Sequence, residues 1–544
     1  YLVRSGSTGL VEIENSEKCL IENNTFSNFR DYGIDLETPT TSSYNKDITI
    51  KNNDFLDYGY AGVMIGKQAS NVYVENNMFK DINTRKLNGI SYGVAVAPGS
   101  STYQYSEYIY IRNNTIENNP VWEGIDSLGA NYLFIEDNEI IDCRIPISVA
   151  QINTDGNYPE AIHDVTITGN YVKGDFTADK QDSGIYVLGG HNSAWTLFQP
   201  YQNVTVSENT IVDVNNWLFS DDGAIVLQNV NDAHVDSNNI DGVGGTAINL
   251  ENADNVVMQN NNIKDIREIS GSTKSIELLP ISKDYSLTLK NNTFDGSADY
   301  NAYAYSDYGN VYEVSVTDDQ DTSKFYTANG AINLTIFEDT SSETETPDTP
   351  SETDNSTDTD TETDTGNQTD DVGDAEYDII ISKDAGTTVV TTSDGEAIYS
   401  GSNDVEALNA AVAAIDNGTI QVNAGTYTVS SQVPLKSGIG MIGDDAVMKG
   451  YSIFLISGTT DVSITGFTFS NPDQSYLVRE GSTGLVEIEN SENCLIENNT
   501  FSNFRDYGID LQTPDTSSNN KDITIQNNEF LDYGYAGVMI GKQA

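Results

Sequence analysis

The chain has 544 residues, with 83 Asp and Glu against 26 Lys and Arg, and a net charge of −57. Nucleic acid is thereby excluded as a partner, because phosphate binding needs a basic footprint. No run approaches the ~18 apolar residues that signal a membrane span, so no membrane insertion is expected in this segment. An acidic surface of this kind can hold divalent cations; Ca2+ is a candidate, and no cofactor is otherwise required.

The stretch from Tyr1 to Ala69 returns from Tyr476 to Ala544 without a gap. Sixty-two of the 69 positions match, and the differences include Glu37 against Gln512. Near-identity on this scale implies duplication of a whole unit, so the chain reads as about one period of a longer tandem array. Residues 1–337 are expected to be the body and C-terminal part of one repeat. Residues 377–544 are expected to be the N-terminal part of the next. Between them, 338–376 is an acidic linker rich in Thr and Asp, with no Lys, Arg or aromatic residue in Glu338–Asp371. Such a composition cannot bury enough apolar surface to order itself, so disorder is expected there. The Asn-x-Ser/Thr sites Asn355 and Asn367 in the linker, with Asn203, are glycosylation candidates. Asn23 also lies in such a site, but is expected to be a buried corner residue.

Within the unit a shorter motif recurs: CLIENNTF (19–26), ITIKNNDF (48–55), VYVENNMF (72–79), IYIRNNTI (109–116), LFIEDNEI (133–140), VTITGNYV (165–172) and onward to LTLKNNTF (287–294). Each alternates apolar and polar residues, reaches an Asn-rich corner and resumes on an apolar residue. Alternation of period two signals a strand, and Asn tolerates sharp corners. A second strand recurs between these: YGIDLE (32–37), AGVMIG (61–66), YGVAVA (92–97), EGIDSL (123–128), SGIYVL (183–188), GAIVLQ (223–228) and TAINLE (246–251). Strand, corner, strand, corner, stacked coil on coil, is an all-β parallel β-helix. The pattern resembles the right-handed parallel β-helix of the pectin lyase-like superfamily. Residues 402–450 resemble that superfamily's N-terminal cap, a short amphipathic helix N-capped by Ser402 or Asn403.

That fold assigns sides to residues. In the second strand Ile34, Val63, Val94, Ile125, Ile185 and Ile248 should point inward, as should Leu36, Ile65, Val96, Val187 and Leu250. Asp35, Met64, Ala95, Asp126, Ser148, Tyr186 and Asn249 should form one outward row, on the face where the superfamily keeps its active groove. Cys19 and Cys143 lie four coils apart, roughly 19 Å, too far for a disulfide, and read as buried small apolar residues.

Chemistry on that face is sparse. Glu123, Asp126 and Arg144 are weak catalytic candidates. The segment WEGIDSLGANYLFIEDNEI (122–140) resembles a GID-x-HGG segment of polysaccharide-acting β-helix proteins, with Leu128 where those have His. The histidines His163, His191 and His234 lack metal-ligand spacing and read as ordinary surface or loop residues. Aromatic loops offer Tyr103, Tyr105, Tyr158, Trp195, Phe198 and Tyr201, with Trp122 nearby, as platforms on which sugar rings stack. These features point to an extracellular, cell-surface tandem-repeat protein with a structural or adhesive role. Its expected partners are a polysaccharide or neighbouring copies of itself. The alternative is a secreted polysaccharide-modifying enzyme: a lyase, an epimerase or a glycoside hydrolase.

Overall fold

The computed structural model describes residues 9–38, 40–82, 90–100, 102–153, 161–175, 183–192, 199–214, 223–269, 271–317, 320–337, 377–384, 386–471, 484–512, 520–531 and 536–540. The linker 338–376, with Asn355 and Asn367, lies outside them. Nearly every element is a strand, and successive coils pair in parallel. Among the described residues no helix is long and apolar enough to cross a membrane.

Each full coil has three strands, one more than the sequence pattern shows. The first face runs through Gly9–Glu14, Tyr32–Glu37, Ala61–Ile65 and Tyr92–Val96. The second runs through Leu20–Glu22, Lys46–Lys51, Ser70–Glu75 and Ser106–Arg112. The third is the apolar residue after the Asn corner with its neighbours, as in Thr25–Ser27, Asp54–Tyr58 and Met78–Ile82. In Thr115–Ser127 and Glu139–Asn153 the third and first faces fuse into one long strand.

The core is built from ladders of like residues. Ile34, Val63, Val94, Ile125, Ile185 and Ile248 are fully buried, as the alternation requires. The third face contributes a phenylalanine stack, with Phe26–Phe55 centroids 5.0 Å apart and Phe55–Phe79 4.8 Å apart. Glycine on the first face makes room for it: a Cβ on Gly62 would lie 2.3 Å from the Phe79 ring.

The Asn corner splits its work between two residues. The first Asn takes the left-handed conformation, as Asn23 (φ 57), Asn52 (φ 55) and Asn113 (φ 52) do, and is exposed or half-exposed. The second is the buried ladder residue. Asn53 accepts from Asn24 N at 3.0 Å and donates to Ile21 O at 3.0 Å and to Asn77 Oδ1 at 3.0 Å. Asn23 is therefore not the buried member of its pair; Asn24 is, at 2% exposure. The ladder continues through Asn114, Asn138, Asn170, Asn209, Asn238, Asn261 and Asn292.

The capping helix is Asp404–Ala414, N-capped by Asn403, whose side chain accepts from Val405 N and Glu406 N. It packs Ala407, Leu408, Ala411 and Val412 onto the first strands of its segment. Coils of 418–540 then stack onward to Ala536–Ile540, which pairs in parallel with Gly9–Glu14. The Asn ladder crosses this seam, Asn528 N donating to Asn24 Oδ1 at 3.4 Å. A cavity of about 240 Å3 lies there, lined by Val11, Cys19, Phe26, Ile525, Phe530 and Val538 among others. All three cysteines are free. Cys143 and Cys494 are buried as expected, but Cys19 is only half-buried, because it borders that cavity.

Candidate functional site

The outward row of the first face is realised in register. Asp35 pairs with Met64, Met64 with Ala95, Ala95 with Asp126, Asp126 with Ser148 and Ser148 with Tyr186. Val226 intervenes before Asn249. This row is largely covered, however: Asp126 is 2% exposed and Ala95 3%.

What covers it is aromatic. One residue before the glycine of each first-face strand, Tyr32, Ala61, Tyr92 and Glu123 are successive register partners. Tyr60 joins them, its ring 5.4 Å from Tyr32 and 5.5 Å from Tyr92, both edge-on. Ala61, Tyr92 and Ala95 form a small apolar cluster of their own, against which Tyr32, Tyr60, Met64, Ile90 and Trp122 pack. Arg144 places its guanidinium 4.9 Å over Trp122 and donates from Nη1 to Val121 O at 3.4 Å.

Beneath this roof lie two carboxyls. Glu123 is 7% exposed, and Asp126 is almost fully enclosed. Burial pushes the Asp126 carboxyl well above its usual range, Glu123 adds to the rise, and a hydrogen bond from Ser148 opposes it. Among the described residues Asp126 Oδ1 has no hydrogen-bond partner. Burial also raises both Tyr60 and Tyr92, with Asp126 and Glu123 contributing, so both phenols stay protonated donors. The strand bends to bring Glu123 and Trp122 here. The register shifts between Asn119 and Glu123, and the buried Asn119 side chain donates to Glu123 O and to Ser91 O, each at 2.8 Å.

Glu123, Asp126, Arg144 and Trp122 are thus brought together. Asn119, Tyr60 and Tyr92 complete the site and were missed. The signal for Tyr92 was present in the aligned strands, where the residue before glycine reads Tyr, Ala, Tyr, Glu; Tyr60 lies one place outside that column. Leu128, at the place expected for His, is half-buried and offers no proton carrier.

The other candidates scatter. Tyr103 lies under Lys67 Nζ at 4.7 Å. Tyr105 accepts from Gln151 Nε2 at 2.6 Å and packs on the core. Tyr201 is not an exposed platform: it opens the strand Tyr201–Ser207, faces inward and is fully buried. Tyr158, Trp195 and Phe198 lie outside the described residues. Asn203 is exposed, in the left-handed conformation, and its side chain donates to Asp164. His163 pairs with Asp164 at 2.7 Å, and His234 is exposed.

The chain belongs to the family described as a right-handed beta helix region, whose profile matches residues 3–107, 163–320 and 442–544. Its fold is thus the pectin lyase-like right-handed β-helix that the sequence resembles. No curated protein matches the sequence. Among solved structures it is similar to a crystal structure of DFA-IIIase from Arthrobacter chlorophenolicus A6, without its lid and in complex with GF2. The identity is 11% and the TM-score 0.34, over 56% of this chain and 60% of that one. That likeness carries no inference about what this chain does.

Proposed function

We propose that this chain is part of an extracellular tandem-repeat rod with a structural and adhesive role, and that it grips a neutral polysaccharide at the first face. The observation that carries the reading is the aromatic cluster of the first face, where the half-exposed Tyr60 and Trp122 pack over Ala61 and Tyr92 above Glu123 and Asp126. Half-exposed aromatic rings supply stacking surface for sugars. Two carboxyls and one guanidinium already stacked on Trp122 do not welcome a uronate, so the ligand is neutral. A near-identical copy displaced by 475 residues suits adhesion, because avidity grows with copy number.

A second reading rests on the same pair. An Asp held protonated beside a second carboxyl has the makings of a general acid. One experiment separates the two. The full chain is passed over immobilised neutral glucans and mannans, and over polygalacturonate and alginate, with tryptophan fluorescence as readout and reducing ends assayed in parallel. Retention on a neutral polymer is expected, weakened tenfold or more by Trp122→Ala and by Asp126→Asn. Retention on uronate polymers alone would overturn the neutral-glycan reading. Release of new reducing ends would favour the enzyme.

A further inference from the structure

The two ends of the solenoid are finished differently. At one end Ile332–Phe337 pairs in parallel with Tyr312–Thr317, and Phe325–Ala328 with Tyr300–Tyr305. Among the described residues neither strand has a strand on its other edge. Leu334 and Ile336 are register partners of the buried Val314 and Val316, so they hold inward positions of the coil. They are nevertheless 42% and 61% exposed, because among the described residues no coil follows. Tyr326 of the same coil is exposed as well. The edge strand reads INLTIF, with no charge, proline or bulge, the usual devices that keep an open edge from pairing.

The other end is closed, and its outermost strand has a telling direction. Ile379–Asp384 pairs in parallel with Gly418–Val422 of the second face and antiparallel with Thr387–Thr392. Thr387–Thr392 pairs antiparallel with Ala397–Gly401. Two reversals restore the polarity, so Ala397–Gly401 runs the same way as every second-face strand of the solenoid. Among the described residues its other edge also carries no strand. One sheet thus has an open edge at each end, with matching strand direction. The helix Asp404–Ala414 lies across this end, packing on Ala397–Gly401 and Thr387–Thr392 of one sheet and on Gly425–Val429 of the other. It turns Ala410 and Ala413 outward, so nothing bulky there holds a neighbour off.

We propose that the open end of one copy docks on the capped end of a second copy, Ile332–Phe337 of the first adding in parallel to Ala397–Gly401 of the second. The second face then runs unbroken from copy to copy, by strand addition at a sheet edge. The capping helix of the second copy covers Leu334 and Ile336 of the first. Pairing of two open ends would leave the Ala397–Gly401 edge unused. The seam sets a precedent: Ala536–Ile540 and Gly9–Glu14 pair in parallel although no coil turn joins them. In a tandem array the linker 338–376 starts directly after Phe337, so it tethers the next cap to this end and raises its effective concentration. The docking rests on the reading of the chain as part of a rod, and supplies the joint of that rod.

The test is sedimentation velocity of the full chain at about 0.15 M salt, where self-repulsion is screened. The chain is made without glycosylation, because Asn333 of the edge strand begins an Asn-x-Thr site. Wild type should form head-to-tail chains that lengthen with concentration. Leu334→Glu with Ile336→Glu should end this, and so should Ala410→Glu with Ala413→Glu. Both double variants should unfold close to the wild-type temperature, showing that the fold survives. Neither should associate alone, but a mixture of the two should give pairs and nothing longer, because one intact open end meets one intact cap. A wild type that stays single at every concentration, pairs that survive the cap substitutions, or a mixture that fails to pair overturns the proposal. So does a glycan found on Asn333 of protein from its natural source. A single wild-type chain that still binds neutral glycan would sink the joint and leave the glycan reading standing.

Discussion

Asp510 and Asp35 hold the same place in two copies of one coil, and they show what a single amide does to a buried carboxyl. Burial raises both; Gln512 donates to Asp510 and opposes its rise, to about 7, while at Asp35 the neighbouring Glu37, Glu12 and Glu14 add to the rise. The native state therefore keeps a proton at Asp510 that the unfolded chain releases near pH 4. Bound protons favour the state that holds them, so this contribution to stability is present at low pH and is lost as pH rises from about 4 to about 7. Three pKa units correspond to at most about 4 kcal/mol. Asp510→Asn should flatten that part of the profile, measured as urea midpoints from pH 4 to pH 8; an unchanged slope would refute it. Asp404 runs the other way. Although burial works to raise it, it is lowered by hydrogen bonds from Lys383, Thr388 and Thr428, so its contribution is lost as pH falls below about 4. At this scale the sequence was informative about side and poor about partners. Alternation placed Asp126 outward and Ile125 inward correctly. It could not show that Tyr60 and Tyr92 close over Asp126, because a period of two says nothing about what crosses between coils.

The coil is held by its corner. Asn138 accepts from Asn114 N at 3.0 Å and from Asn114 Nδ2 at 3.0 Å, and donates to Ile111 O at 2.9 Å. Asn138→Ala would leave at least two buried backbone groups without partners, at about 1–3 kcal/mol each. Asn113→Ala, one place before a ladder Asn and at φ 52, should cost only the left-handed strain, about 1–2 kcal/mol. Urea midpoints of the two variants should differ accordingly; equal losses would mean the ladder is not what closes the corner. The motif was plain in the sequence, but it did not separate the two Asn roles, which is why Asn23 was placed inside. The third strand escaped notice because three residues such as Thr25–Ser27 are too few to display a period. Tyr201 misled because its neighbours are polar, although it begins a strand and takes an inward position.

For the molecule as a whole, a net charge of −57 means self-repulsion. Raising ionic strength from about 0.01 to about 0.15 M shortens the screening length from about 30 to about 8 Å. Thermal unfolding should move upward over that range, and a downward shift would show that attractive ion pairs outweigh the repulsion. The architecture was legible from the sequence because coil length varies while the strand pattern does not. What was illegible was contact across the seam, where Ala536–Ile540 meets Gly9–Glu14, since neither strand carries a mark of the other.

The inter-strand bonds described above all run along the column, from each coil to the next. A tension applied across the ends of the solenoid therefore loads them one coil at a time rather than together, and the structure should open like a zip. Neighbouring ladder asparagines are separated by 23 residues at the shortest, between Asn238 and Asn261, and by 39 between Asn170 and Asn209. Each coil that peels away should release roughly 80 to 130 Å of chain at about 3.4 Å per residue. Optical tweezers should record a staircase of such lengths at modest force, which would let a rod of this kind pay out slack under drag while its remaining coils stay intact.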